Sequence, residues 1–348
     1  MKNAISLNEL DFSSPIETII NQNTIPPKFK GCSFDNYIPN KDYPSQKQAK
    51  ERLIELVQQI ETFKRKTPKN KLLRKLIKTS KPPHIYLDGV FGVGKTHLLA
   101  SIGNAYRGKK LFISFSELMY LIAYYTLLDV VDMLSQYDIV LLDEFEVDDP
   151  GDAMMGINFI REINKTDTVV IATSNTLPSQ LGARKLDMLT FKARMGSLIN
   201  SFETIIIDGE DYRFKQPSLN FSISNSNLKE IFGKYQPKEK LKLYVNFEEL
   251  IEKLKEIHPT RYRNIAYSLD ALFIENLRPF NDMELMDALR FTYLIDMLYY
   301  GDVNIFASSN IDNIWNLFHQ DLKEGKFKTK IGRCLSRLEE KCVLVKPD

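Results

Sequence analysis

Along the middle of this chain, short apolar runs take turns with longer stretches whose apolar residues recur at helical spacing. The runs stand at 84–87, 110–115, 138–142, 168–172 and 203–207, with helical stretches between them at 96–106, 116–135 and 152–164. An apolar run without alternation suits a strand buried on both faces, and strands interleaved with helices predict a parallel sheet covered by helices. Right-handed crossovers would bring the carboxyl ends of these strands to one edge, where ligands bind in open α/β sheets.

The flanks read differently. Pro15, Pro26, Pro27, Pro39 and Pro44 keep 1–45 extended, whereas Ala49, Leu53, Leu56, Val57 and Ile60 give 45–64 one helical face. Past Arg213 the pattern fades into a polar stretch at 215–245, and helical spacing returns at 247–257, 260–270 and 283–300. Leu285, Leu289, Leu294, Met297 and Leu298 mark the apolar face of the last of these. Ala271-Leu272-Phe273-Ile274 reads as either a strand or a buried connection. The expected organisation is a lead-in with a helix and a basic segment (1–80), an α/β core (81–214), a polar linker or insertion (215–245) and a mainly helical C-terminal lid (246–348).

Composition adds limits. The chain is 43% hydrophobic and 26% charged, ordinary for a globular protein, and no apolar run approaches the roughly 20 residues of a membrane-spanning helix. The first residues carry acids and no apolar signal core, and Cys32, Cys334 and Cys342 have no metal-ligand spacing, so a cytoplasmic protein is expected. The net charge of +2 hides a run of nine Lys and Arg, without an acid, between Lys64 and Lys81. Such a run attracts phosphate backbones, anionic lipid or acidic protein, or is simply a solvated segment that buries Leu72, Leu73, Leu76 and Ile77. No aromatic residue interrupts it to stack on bases, so the solvated reading is preferred and nucleic acid is not an expected partner.

The chemistry gathers at the ends of the strand-like runs. Gly89, Val90, Phe91, Gly92, Val93, Gly94, Lys95 and Thr96 match G-x-x-x-x-G-K-[ST] in full, after a strand and before a helix. Loop N–H groups and the helix N-terminus would cradle the phosphates of a nucleotide, Lys95 would reach the β/γ-phosphates, and the Thr96 hydroxyl would hold Mg²⁺. A second run ends in Asp143-Glu144. Asp143 suits Mg²⁺, and Glu144 suits polarisation of an attacking water. A third ends in Thr173-Ser174-Asn175, where Asn175 could bond the lytic water or the γ-phosphate. ATP and Mg²⁺ are the expected cofactors. Hydrolysis also needs positive charge opposite the γ-phosphate, commonly from a neighbouring subunit. Arg194 and, as an alternative, Arg184 are candidates for that finger, Arg213 is a further candidate, and Arg290 is a candidate lid residue sensing the γ-phosphate.

Together these motifs resemble the ZapE/Afg-like family of AAA+ ATPases. The resemblance rests on Phe34-Asp35-Asn36-Tyr37, Pro44-Ser45-Gln46, Leu142 through Asp149 with Asp152-Ala153-Met154, and Ala172-Thr173-Ser174-Asn175. It continues with Asp208 through Arg213, Arg290-Phe291 with Leu294-Ile295-Asp296 and Tyr299, and Leu335-Ser336-Arg337-Leu338. It implies a P-loop AAA+ parallel-sheet core with a helical lid, and an oligomeric, hexameric ATPase. It also implies a role in bacterial cell division and the cell cycle, acting on the ring formed by FtsZ at the cytoplasmic face of the membrane.

Two other readings stay open. One is a DNA-replication factor, a helicase loader or initiator, because Gly94 through Leu99 with Ile102-Gly103-Asn104 resembles the initiators; Leu338 to Asp348, however, holds no basic helix-turn-helix. The other is a nucleotide-gated scaffold with slow turnover.

Overall fold

The computed structural model of the chain describes residues 4–9, 25–68, 80–90, 92–145, 150–175, 202–210, 223–224, 227–325 and 327–346. They form two compact units, Asn23–Ile25 with Phe29–Tyr212, and Met1–Gln22 with Pro26–Lys28 and Arg213–Asp348.

The first unit holds a five-stranded parallel sheet in the order Lys110–Ser114, Ile139–Asp143, Val169–Ser174, His84–Asp88, Phe202–Ile206. The strands correspond to the five apolar runs, and Ile85, Leu111, Val140, Leu141, Val170 and Ile171 are wholly buried in it. His84–Asp88, the strand that leads into the glycine-rich loop, lies between Val169–Ser174 and Phe202–Ile206. The stretch expected as one helix over 116–135 is two, Phe115–Tyr124 and Leu127–Leu134. The reason is local: Ser114 boxes with Glu117 at the first start, and Thr126 boxes with Asp129 at the second. The helix Pro44–Lys66 begins with proline at its first turn and buries Ala49, Leu53, Leu56, Val57, Ile60 and Phe63. Arg52 anchors it by a two-pronged bond to Glu203, at 2.6 and 2.7 Å.

The second unit holds more than the helices expected of it. It carries the expected helices, at Phe247–Glu256, Tyr262–Ser268 and Leu285–Tyr300, but they surround a six-stranded parallel sheet. Its order is Ala4–Ile5, Leu241–Asn246, Leu269–Glu275, Asn304–Ser308, Cys342–Val345, Ile223–Ser224. These strands are short and several are buried on both faces, so they show no period by which a pattern search could separate them from buried connections. Ala271–Ile274 is thus a strand interior. The stretch at 215–245 is likewise more than a linker: it includes the Asn227-capped helix Leu228–Lys234 and most of the strand Leu241–Asn246. Phe273 and Phe306 stack on neighbouring strands, 4.7 Å between centroids, with Phe232 and Tyr235 edge-on to Phe273.

Several residues that carried the family resemblance serve this core. Asp296 is buried, accepts from Arg333 at 2.8 Å and also from Arg337, and the Arg337 guanidinium lies over the rings of Tyr299 and Tyr300. The Asp296 carboxyl stays below its ordinary range although burial works to raise it, because the two guanidiniums outweigh burial. Among the described residues no helix is long and apolar enough to cross a membrane.

Candidate functional site

The glycine-rich loop leaves the strand His84–Asp88 and enters the helix Lys95–Ala105 directly. Gly94 has φ +88°, the left-handed region, and a side chain there would meet the Tyr37 ring at 2.7 Å. At Gly89 a Cβ would lie 2.4 Å from the Ile207 carbonyl oxygen. Backbone therefore approaches where only glycine allows it, as a phosphate cradle requires. Tyr37 also donates its hydroxyl to the Val93 carbonyl at 3.1 Å. Gln46, almost fully buried, donates to the Asp208 carbonyl, and the Ser45 hydroxyl accepts from the Asp208 N–H, both at 2.9 Å. The Asn-Tyr and Ser-Gln motifs ahead of the core thus fasten the loops around the site, a role their sequence did not announce. Phe91 lies outside the described residues.

Lys95 is buried and folds back on its own loop, donating to the Gly89 carbonyl at 2.6 Å and the Val90 carbonyl at 2.8 Å. The Thr96 hydroxyl donates to Asp143 Oδ1 at 3.1 Å. Asp143 is fully buried and receives a second hydroxyl, from Thr173, at 2.6 Å. A hydroxyl beside a carboxylate at the mouth of a phosphate loop is a hard oxygen donor set. It fits Mg²⁺, which keeps waters and takes few protein ligands. Among the described residues, no group of three or more His, Cys, Asp or Glu could hold a metal by itself.

Glu144 follows in the left-handed region, with φ +58°, which is uncommon for a residue with a side chain. Its neighbours hold it there. The Glu144 N–H donates to the Thr173 hydroxyl at 3.0 Å, and the Phe145 N–H to the Thr173 carbonyl at 2.7 Å. The Phe145 ring is buried against Tyr86 and Phe115, at 6.1 and 4.7 Å between centroids. Strain over-determined by its surroundings is a mark of functional turns. Thr173 is the residue that sequence reasoning missed: it was visible two positions before Asn175, but nothing in a strand pattern assigns it a task. Asn175 follows the same strand end and is half-buried.

A family model described as AFG1-like ATPase matches residues 38–234 and 238–342. The chain belongs to the AFG1-like ATPase family. Among solved structures, this AFG1-like ATPase is similar to DnaI, at 19% identity over 53% of this chain and 93% of that one, with a TM-score of 0.39. It is also similar to DnaA from Aquifex aeolicus bound to AMPPCP, at 17% identity over 66% of this chain and 61% of that one, with a TM-score of 0.37. The DnaC helicase loader matches at 14% identity over 52% of this chain and 99% of that one, with a TM-score of 0.36. These likenesses assign no partner or substrate.

The structure of this AFG1-like ATPase brings Lys95, Thr96, Asp143 and Glu144 together with Asn175 at one sheet edge. The arginines divide differently. Arg184, Arg194 and Arg213 lie outside the described residues. Arg290 belongs to the second unit, half-buried in the helix Leu285–Tyr300, with Nη1 3.5 Å from Asp287 Oδ1.

Proposed function

We propose that this AFG1-like ATPase hydrolyses ATP with Mg²⁺ at the loop Gly89–Thr96. Asp143, clamped between the Thr96 and Thr173 hydroxyls beside a turn that presents Glu144, is the observation that supports the reading best. Loop N–H groups and Lys95 bind the phosphates, for which Lys95 exchanges its bonds to Gly89 and Val90. Thr96 and Asp143 hold Mg²⁺, which when bound supplies neutralisation of phosphate charge. Glu144 takes the proton of the attacking water, and Asn175 orients that water. An arginine from a second copy, Arg194 or Arg184, completes the charge, and Arg290 reports the γ-phosphate to the second unit. We further propose a homo-oligomer, a hexamer, that does mechanical work on the FtsZ division ring at the cytoplasmic face of the membrane; the motifs shared with the cell-division members support that finer reading.

The test is turnover across a range of protein concentrations, for wild type and Glu144→Gln. We expect the rate per subunit to rise with concentration, and the substitution to lower kcat by about 10² to 10⁴ with nucleotide binding kept. A rate independent of concentration would sink the shared site. Nucleotide binding without turnover at any concentration would favour a gated scaffold.

A further inference from the structure

Asp88 ends the strand that feeds the phosphate loop, and the loop motif asks for no acid there. It is buried, 6% exposed, yet among the described residues its Oδ1 has no hydrogen-bond partner. Its main chain is committed, since the Asp88 carbonyl accepts from the Ile207 N–H at 2.8 Å. In register it stands beside Ser174 on one side and Ile206 on the other, one step past the pair Leu87 and Thr173. Strand alternation therefore turns Asp88 to the face opposite Thr173, so it is no member of the Thr96–Asp143 pair.

A buried carboxylate oxygen without a donor is costly, and a fold keeps one only where something else compensates or where it serves a purpose. Burial raises the Asp88 carboxyl above its ordinary value, and the Lys95 ammonium and the Gly89 N–H pull it back down. Lys95 thus answers two demands, the carbonyls of its own loop and the charge of Asp88. The phosphates of a nucleotide would make a third.

We propose that Asp88 is an electrostatic brake on the phosphate loop, a fixed negative charge that competes with the nucleotide phosphates for Lys95 and so speeds release of the product. The proposal rests on the ATPase reading. As Lys95 turns to phosphate, Asp88 loses part of its compensation while further negative charge arrives nearby. Because Asp88 is buried, solvent and salt screen that repulsion weakly. Asp88 touches no reacting atom in this scheme and is a positioning residue, acting through Lys95.

The experiment is a titration of the full chain with fluorescent mant-ADP, with stopped-flow release, for wild type, Asp88→Asn, Asp88→Ser and Asp88→Glu, and for Lys95→Ala as control. Both neutral variants should bind at least about tenfold tighter, the effect of unit like charges as far as about 12 Å apart at an effective dielectric near 20. The gain should appear as slower release and persist at about 0.5 M salt, since the charge is buried. Asp88→Glu, which keeps the charge, should stay near wild type, and steady-state kcat and KM of the neutral variants should fall together. Neutral variants that melt like wild type and bind no more tightly would overturn the brake while leaving Lys95-dependent binding intact. Should Asp88→Asn fail to fold, Asp88→Ser decides. Wild type that binds no nucleotide, or binds it equally well as Lys95→Ala, would overturn the ATPase reading and the brake with it.

Discussion

Thr173 holds the two acidic residues of the site in register because one hydroxyl can donate once and accept as well. It donates to Asp143 Oδ1 and accepts from the Glu144 N–H. Thr173→Val keeps the shape and removes both bonds, leaving a buried carboxylate one donor short. We expect a stability loss of about 1–3 kcal/mol in urea unfolding and a higher Mg²⁺ requirement for turnover, with Thr173→Ser restoring both. Glu144 supplies a complementary test. At φ +58° a side chain costs about 1–2 kcal/mol relative to the right-handed region, a cost glycine escapes. Glycine's extra freedom in the unfolded chain, about 0.5–1 kcal/mol, offsets part of that gain. Glu144→Gly should therefore be at least as stable as wild type while losing turnover, as strain kept for function implies. A clearly destabilised variant would show that the Glu144 side chain is structural.

Among the elements, the strand His84–Asp88 carries a titrating group at its start and the phosphate loop at its end. The Val170 N–H donates to His84 Nδ1 at 2.8 Å, so that nitrogen is bare and Nε2, 3.1 Å from Asn164 Oδ1, carries the hydrogen. Burial, helped by the Lys81 ammonium, pushes the imidazole down to about 3. An unfolded histidine takes a proton below about pH 6.5. Between those values the unfolded chain binds the extra proton, so this group's stabilisation is complete above pH 6.5 and is lost as pH falls. The full slope is about 1.4 kcal/mol per pH unit. His84→Gln, which cannot titrate, should show a shallower fall in urea midpoint between about pH 6 and pH 4; an unchanged slope would mean that His84 is protonated in the folded state. The same strand shows what was legible in the sequence. Its apolar interior, the glycine loop and the acids of the neighbouring strand could be read because periodicity and spacing encode them. Asp88 and Thr173 could not, since their roles depend on which strand lies alongside, and lateral order is not written along a chain. The break at Thr126 was legible in principle, as a capping box with Asp129 inside a helical stretch. The second sheet was missed for a different reason: strands such as Cys342–Val345 are too short and too uniformly buried to show a period.

At the scale of the molecule, each of the two units is built on a parallel sheet of its own, and each has one feature that bears on its stability. In the unit Asn23–Ile25 with Phe29–Tyr212 it is the phosphate loop, where bound nucleotide adds stability by mass action, about 2.7 kcal/mol at a hundred times Kd. In the other it is Asp296 between Arg333 and Arg337. Replacing such a trio by apolar groups is often harmless, but removing one partner strands charge in the interior and costs about 3–5 kcal/mol. Asp296→Asn keeps the volume and removes the negative charge that both buried guanidiniums share. Calorimetry of the full chain should then resolve two transitions, or one broadened beyond two-state behaviour. MgADP should raise one component, and Asp296→Asn should lower the other. The nucleotide shift should survive in the variant at its wild-type size, because ligand and substitution act on separate cores. If Asp296→Asn instead abolishes the MgADP shift, nucleotide affinity depends on an intact second unit. Adding Arg290→Ala to an otherwise wild-type chain then decides whether that arginine carries the dependence.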